Sequence, residues 1–451
     1  MNRPHPSILQ SVTVVGTVLL TSTVSFLNPL SSRSSHAATF ENSPKAVLDE
    51  AWQIVNRDYV DETFQDTDWQ QVREELLGQE YSSREQAYAA LRRALARLDD
   101  PYTRFLDPEA FAALNEQTSG ELSGVGLRLE RDEQRQTISV VAPIPNSPAS
   151  REGIRSGDRI LAIDGDSTVS MGIDEASQRI RGAIGTPVTL RILRNQRQFN
   201  VTVVRSRIEL PAVHHSLSLQ GETRVGYIRL SEFSSHAHEQ MYRAIEDLKE
   251  RGVDAFVLDL RGNPGGLLNV SIQIARMWLD EGAIVSTVDR HGNVEAVEAT
   301  RTALTDLPLA VLVDHNSASA SEIVAGALQD NERATIIGTP TFGKALVQSV
   351  NSLSDGSGLA VTVARYFTPN GTDISENGIF PDSRVEMTGN QQLLLSRDGS
   401  LRGTLSDPVY SRAIDVFQDQ IPVASRNGSS RNGSREAAVK VLRLKDIESV
   451  R

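Results

Sequence analysis

The chain has 451 residues, 39 % of them apolar and 23 % charged, which is enough for two or three domains with a sizeable core. Its formal net charge of -12 argues against general nucleic-acid binding. It contains no cysteine, which excludes disulfides, thiol catalysis and thiolate metal sites.

The N-terminus reads as a targeting segment. Arg3 gives a positive start, an apolar run follows from Ile8 to Leu20, and in Ser35-His36-Ala37 the small Ser35 and Ala37 have the spacing of a cleavage site. Residues 1–38 are expected to be an export signal, with an uncleaved membrane anchor as the alternative. No later stretch holds 18 consecutive apolar residues, so no other spanning helix is expected. Residues 39–115 read as a small helical region. Ser43 and Pro44 open one helix, and Ser83 and Gln86 have capping-box spacing before a second. "DDPYTRFLD" ends that second helix in a turn at Pro101, and plain packing is the role expected of the region.

From Gly120 the pattern changes. "SGVGLRLE" and "TISVVAP" read as strands, and "NSPASREGIRSGDRILAIDG" as a short helix, a turn and a strand. A second helix and two more strands complete a compact β-rich domain over residues 116–206. Residues 207–390 then alternate strand and helix, with "VDAFVLDL" and "LPLAVLVD" as nearly continuous apolar strands. That order predicts an α/β domain whose sheet is covered on both faces. Residues 391–451 lose the pattern, and "RNGS" occurs twice within a polar stretch that reads as a flexible linker.

The chemistry concentrates in three places. "HNSASASEI" follows an apolar strand and opens a helix, so Ser319 stands where unpaired N–H groups can hold an oxyanion. Ser319 and Glu322 also have capping-box spacing, and taken alone that feature favours Ser319 as a helix cap. A serine nucleophile needs a base. His315 with Asp314 offers a Ser–His–Asp reading. Lys344 in "TFGKALVQ" offers another, with Gln348 four residues on to hold the amine and Phe342, Leu346 and Val347 to desolvate it. Lowering a lysine from about 10.4 to about 7 takes roughly 4–5 kcal/mol of differential solvation. The third place is "DLRGNPGG", where Gly265 and Gly266 permit close backbone approach. His236 and His238 read as solvated surface rather than metal ligands.

In this order and spacing, "RGNPGG", "SASASEI", "TFGKALVQ", "GSGLAVTVARYFTPNG" and "GIFPD" closely resemble the carboxyl-terminal processing peptidases, or tail-specific proteases. The resemblance runs from about residue 40 to residue 390. It implies an α/β multidomain protein with a helical N-terminal region, a PDZ domain at 116–206 and a serine protease core at 207–390. It implies a serine–lysine dyad in which Ser319 is the nucleophile, Lys344 the general base and Gln348 the residue that orients the lysine. The oxyanion hole would use Ala320 and Gly265 or Gly266. "SGVGL" resembles a PDZ carboxylate-binding loop in which Gly124, Val125, Gly126 and Leu127 receive a peptide C-terminus by strand addition. No metal or cofactor is implied. The partner is the C-terminus of a protein substrate, membrane-bound substrates included. "AWQIVNRDYVDETF" and the export signal resemble the branch of oxygenic phototrophs, which trims a photosystem II reaction-centre subunit precursor in the thylakoid lumen. General periplasmic tail-specific proteolysis and a non-catalytic peptide-binding PDZ protein are the alternatives.

Overall fold

The structure, a computed structural model, describes residues 43–132 and 136–420. The expected signal at 1–38 and the paired RNGS sequences lie outside the described residues.

Helix Pro44–Asp58 begins as its sequence requires: the Ser43 side chain accepts from the Lys45 N–H and Pro44 takes the first helical position. Ser83 caps Arg84–Leu95 in the same way. Between them lies a helix the sequence pattern did not reveal, Trp69–Gly78, which buries only Trp69, Val72 and Leu76. The three helices share one core with Leu353, Leu359 and Val361. Each large side chain buried there contributes about 1.5–3 kcal/mol. After Pro101 the chain forms a short strand, Arg104–Leu106, and a further unanticipated helix, Pro108–Ser119. The strand pairs antiparallel with Gly358–Phe367, which ties the helical region to the distant C-terminal half.

The β-rich domain contains a sheet ordered Leu127–Asp132, Thr137–Pro143, Arg159–Ile163, Pro187–Arg194 and Arg197–Val204. Leu127–Asp132 is an edge strand, and helix Ile173–Ile180 packs beside it. A separate two-stranded ladder, Glu121–Gly124 with Ser206–Glu209, joins the domain's entry and exit.

The large domain is built on a six-stranded sheet. In spatial order its strands are Val213–Gln220, Thr223–Leu230, Ala255–Asp259, Leu309–Val313, Thr335–Gly338 and Ser383–Arg384. All neighbours are parallel except the first hairpin. Ala255–Asp259 and Leu309–Val313 are buried at every residue, as continuous apolar runs in a parallel sheet should be. Helices Ala237–Glu250, Leu268–Arg276 and Ala320–Asp330 supply the core on one face. The other face is covered by Val409, Tyr410, Ala413, Ile414 and Phe417 of helix Pro408–Gln420. That helix falls where the sequence reading found no pattern.

The α/β order of residues 207–390 does not put every strand in one sheet. Ala283–Asp289 and Gly358–Phe367 do not join the parallel sheet. They pair antiparallel with each other, and Arg104–Leu106, Val294–Glu298 and Leu346–Ser352 complete a second, five-stranded sheet. Polar residues interrupt "AIVSTVD", which suits a half-exposed antiparallel strand better than a buried parallel one.

Candidate active site

Three neighbouring parallel strands end at the three motifs. Ala255–Asp259 runs into "RGNPGG", Leu309–Val313 into "HNSASAS", and Thr335–Gly338 into "TPTFGK". The carboxyl end of such a sheet is where a ligand site is expected. A cavity of about 380 Å³ opens there, lined among others by Gly266, Ser319, Ala320, Lys344, Gln348 and Tyr366.

The Ser319 segment is fixed by its neighbours. Ser317 donates from Oγ to the Leu260 carbonyl (2.9 Å), and Ser321 from Oγ to the Asn263 carbonyl (3.0 Å). The Ala318 N–H donates to that same Asn263 carbonyl at 3.0 Å. The two flanking serines therefore anchor this loop to the glycine turn, and only Ser319 faces the cavity. Ser319 adopts φ 55° and ψ -112°, a backbone conformation rare for a residue with a side chain. The capping-box spacing is realised from the other side: the Glu322 carboxylate accepts the Ser319 N–H at 2.7 Å.

Glu322 does more than cap. Fully buried, it also accepts from the Thr341 hydroxyl (2.6 Å), the Gly343 N–H (2.6 Å) and the Lys344 N–H (3.0 Å). One carboxylate thus joins the backbones of the Ser319 and Lys344 segments. Tyr366 makes a second bridge, donating to the carbonyls of Ser319 (3.2 Å) and Lys344. Burial, and then the Glu322 charge, push the Tyr366 phenol well up, so it stays a donor.

In the glycine turn the Gly265 N–H donates to Asn263 Oδ1 at 2.9 Å and is therefore committed. The N–H groups of Gly266 and Ala320 have no described acceptor, and both residues line the cavity. Gly265 has φ 104°, and a Cβ there would lie 2.7 Å from the Ala318 carbonyl oxygen and 3.0 Å from the Ala320 nitrogen. The close approach between the turn and the serine loop therefore requires glycine. Behind the turn, fully buried Asp259, Arg261 and Asp407 form an ion network, with Arg261 hydrogen-bonded to both carboxylates.

Lys344 precedes strand Leu346–Ser352 rather than lying in it, and the strand is bulged between Val347 and Gln348. The four-residue spacing therefore does not place Lys344 and Gln348 on one face by strand periodicity, although both line the cavity. Gln348 makes no hydrogen bond to Lys344, and its Nε2 is buried without a partner. The amine nitrogen sits 4.6 Å from the centroid of the Tyr102 ring and forms no ion pair with a carboxylate among the described residues. Burial pulls the Lys344 amine below its ordinary range and the Arg104 charge adds to this, against opposition from Asp100 and Glu322. Leu346 and Val347 line the cavity, but Phe342 is exposed and does not shield the amine. No hydrogen bond joins Ser319 Oγ to Lys344 Nζ in this arrangement; such contacts often tighten only with substrate.

His315 is exposed and does not line the cavity, while Asp314 is occupied by the N–H groups of Gly262 and Asn316. His236 bonds Glu121 at 2.9 Å rather than facing solvent freely. No metal-ligand cluster occurs among the described residues.

In the β-rich domain, Gly124 belongs to the two-stranded ladder, and Val125 and Gly126 form the loop before the edge strand. The loop is pinned by Ala149 N–H to the Val125 carbonyl (2.9 Å) and Ile144 N–H to the Gly126 carbonyl (2.9 Å). Sequence reasoning missed Tyr102, Arg104, Asn263 and Tyr366 as site residues, and took Glu322 only as a cap. Asn263 lay inside a quoted motif. Tyr102 and Arg104 gave no signal, because only the fold brings them to the cavity.

A model of peptidase family S41 matches residues 224–385, and a PDZ-domain model matches residues 139–194. A carboxyl-terminal-processing protease of Synechocystis sp. is 44 % identical over 397 residues, covering 87 % of this chain and 91 % of the relative. Carboxyl-terminal-processing peptidase 2, chloroplastic, of Arabidopsis thaliana is 41 % identical over 377 residues, covering 81 % and 72 %. Among solved structures, a photosystem II D1 C-terminal processing protease superposes with a TM-score of 0.50 at 37 % identity, covering 76 % of this chain and 94 % of that one.

Proposed function

The chain belongs to the carboxyl-terminal-processing proteases of peptidase family S41, and we propose that Ser319 and Lys344 carry out its chemistry. It is a serine peptidase that processes the carboxyl termini of protein substrates. The observation that supports this assignment most is a desolvated amine without a carboxylate partner, in the same cavity as a serine on a strained helix start.

In the proposed reaction, neutral Lys344 takes the Ser319 proton as Oγ bonds to the scissile carbonyl carbon. The oxyanion accepts hydrogen bonds from Ala320 and Gly266; the commitment of the Gly265 N–H favours Gly266 over its neighbour. The tetrahedral intermediate then expels the substrate amine, which receives the proton from Lys344 and leaves an acyl-Ser319 ester. Lys344, neutral again, deprotonates a water that attacks the ester, and it then returns that proton to Ser319 Oγ as the carboxylic acid product leaves. Gln348 accepts from the Lys344 amine when substrate displaces it from Tyr102. The loop of Val125, Gly126 and Leu127 receives the substrate C-terminus, and Leu127–Asp132 offers an open edge for strand addition. Given the photosystem II D1 protease it resembles, we infer that this chain is exported to the thylakoid lumen or periplasm and matures a precursor of that kind.

Cleavage of a C-terminally extended peptide tests the assignment. Ser319→Ala is expected to lower kcat by about 10⁴-fold or more. His315→Ala is expected to leave it unchanged. The reverse pattern would establish a histidine mechanism instead.

A further inference from the structure

We propose that Arg104 selects substrates carrying an acidic side chain beside the scissile bond, an inference that rests on Ser319 and Lys344 being the reacting pair. The catalytic cavity is largely apolar, with Leu114, Leu267, Ile323, Leu346 and Val350 among its walls. No aspartate or glutamate lines it, and its two ionisable cations are Lys344 and Arg104. Once Lys344 is neutral, Arg104 is the one fixed charge facing a bound peptide. In a chain of net charge -12, this cavity carries the opposite sign and invites an anion.

Arg104 is exposed at the cavity wall, and it differs from nearby surface cations in lacking a carboxylate partner among the described residues. In the same helical region Arg57, Arg73, Arg92 and Arg97 each pair with a carboxylate. The Arg104 guanidinium has no hydrogen bond or ion pair with any described residue. The nearby Asp100 is turned away from it, with Oδ2 accepting from the hydroxyls of Thr103 and Thr362 at 2.7 Å each. Position is set by the backbone: Phe105 and Leu106 are buried, and Arg104 pairs with Ala360 in the ladder. Alternation along the strand then sends the Arg104 side chain the opposite way from Phe105, toward the cavity. A planar guanidinium at this wall, with all its donors available, can bind a carboxylate through two parallel hydrogen bonds.

The test uses the full mature chain and a set of tailed peptides with Glu, Gln or Lys at each position flanking the cut, made with free and amidated C-termini. The wild type is expected to prefer Glu over Gln by about tenfold in kcat/KM at one or two positions, which corresponds to about 1.4 kcal/mol. Arg104→Gln is expected to cut the Glu and Gln peptides at equal rates, and Arg104→Glu to favour Lys. Amidation is expected to slow the wild type and Arg104→Gln in the same proportion. Equal wild-type rates for Glu and Gln, or an Arg104→Gln enzyme that keeps the Glu preference, would overturn the proposal. So would an amidation effect that vanishes in Arg104→Gln, because the carboxylate read would then be the chain end. Failure of the underlying assignment looks different: Ser319→Ala would cleave as well as the wild type.

Discussion

Around Ser319 the flanking side chains are engaged and the loop is fixed, whereas around Lys344 the backbone is fixed and the amine makes no hydrogen bond among the described residues. Ser317, Ser321, Asn263 and Glu322 tie the nucleophile loop to the glycine turn and to the base segment. The Lys344 main chain is held by the same Glu322 and by Tyr366, yet its amine rests on the Tyr102 ring and the adjacent Gln348 amide has no partner. The difference separates two requirements of catalysis. Oxyanion donors must be rigid before substrate arrives, because reorganising them in the transition state costs rate. A base must be neutral and able to reach, which a dry pocket and a flexible stem provide.

The rigid half should be the more fragile under substitution. Gly265→Ala places a methyl against the Ala318 carbonyl and the Ala320 nitrogen, which forces the turn away from the serine loop. We expect a loss of about 10²–10³-fold in kcat, the cost of one oxyanion donor, with KM little changed. A steady-state assay reads this directly, and near-normal kcat would mean the turn is not part of the oxyanion hole. Glu322→Gln comes next. It presents an amide where a carboxylate now accepts from four groups, so at least one buried donor loses its acceptor, at a cost of about 1–3 kcal/mol. Thermal unfolding should register that loss together with reduced activity, and an unchanged melting temperature would contradict the bridge. Gln348→Ala should have the smallest effect, about tenfold or less in kcat, since Gln348 holds nothing in the resting site. A loss matching that of Ser319→Ala would show that the flexible half is as preorganised as the rigid one.

The three motifs that line the cavity were legible because each is contiguous and each follows an apolar strand that a buried parallel sheet demands. The small residues around Ser319 and the glycines of the turn carry their constraints locally. The split into two sheets was not legible, because strand pairing depends on contacts far apart in sequence. The same holds for helix Pro408–Gln420. Its Asp407 neighbour completes the ion network behind the glycine turn, yet nothing near it in sequence points there. Tyr102 and Arg104 sat in a segment read as a helix-ending turn. They reach the cavity only because Arg104–Leu106 adds to the edge of Gly358–Phe367 near Lys344. Conversely, the spacing of Lys344 and Gln348 suggested a contact that the bulged strand does not make.

The central claim is that Lys344 acts as an uncharged amine. With its pKa lowered by burial, kcat/KM should rise with pH through that ionisation and fall as pH drops below it. The chain has no cysteine, so Lys344→Cys creates a single thiol that bromoethylamine converts to an aminoethyl side chain, in which sulfur makes the amine less basic. The unmodified variant should be inactive, and the modified one should regain cleavage with its acidic limb moved to lower pH than in the wild type. Full activity without the amine, or restored activity with that limb unmoved, would contradict the account.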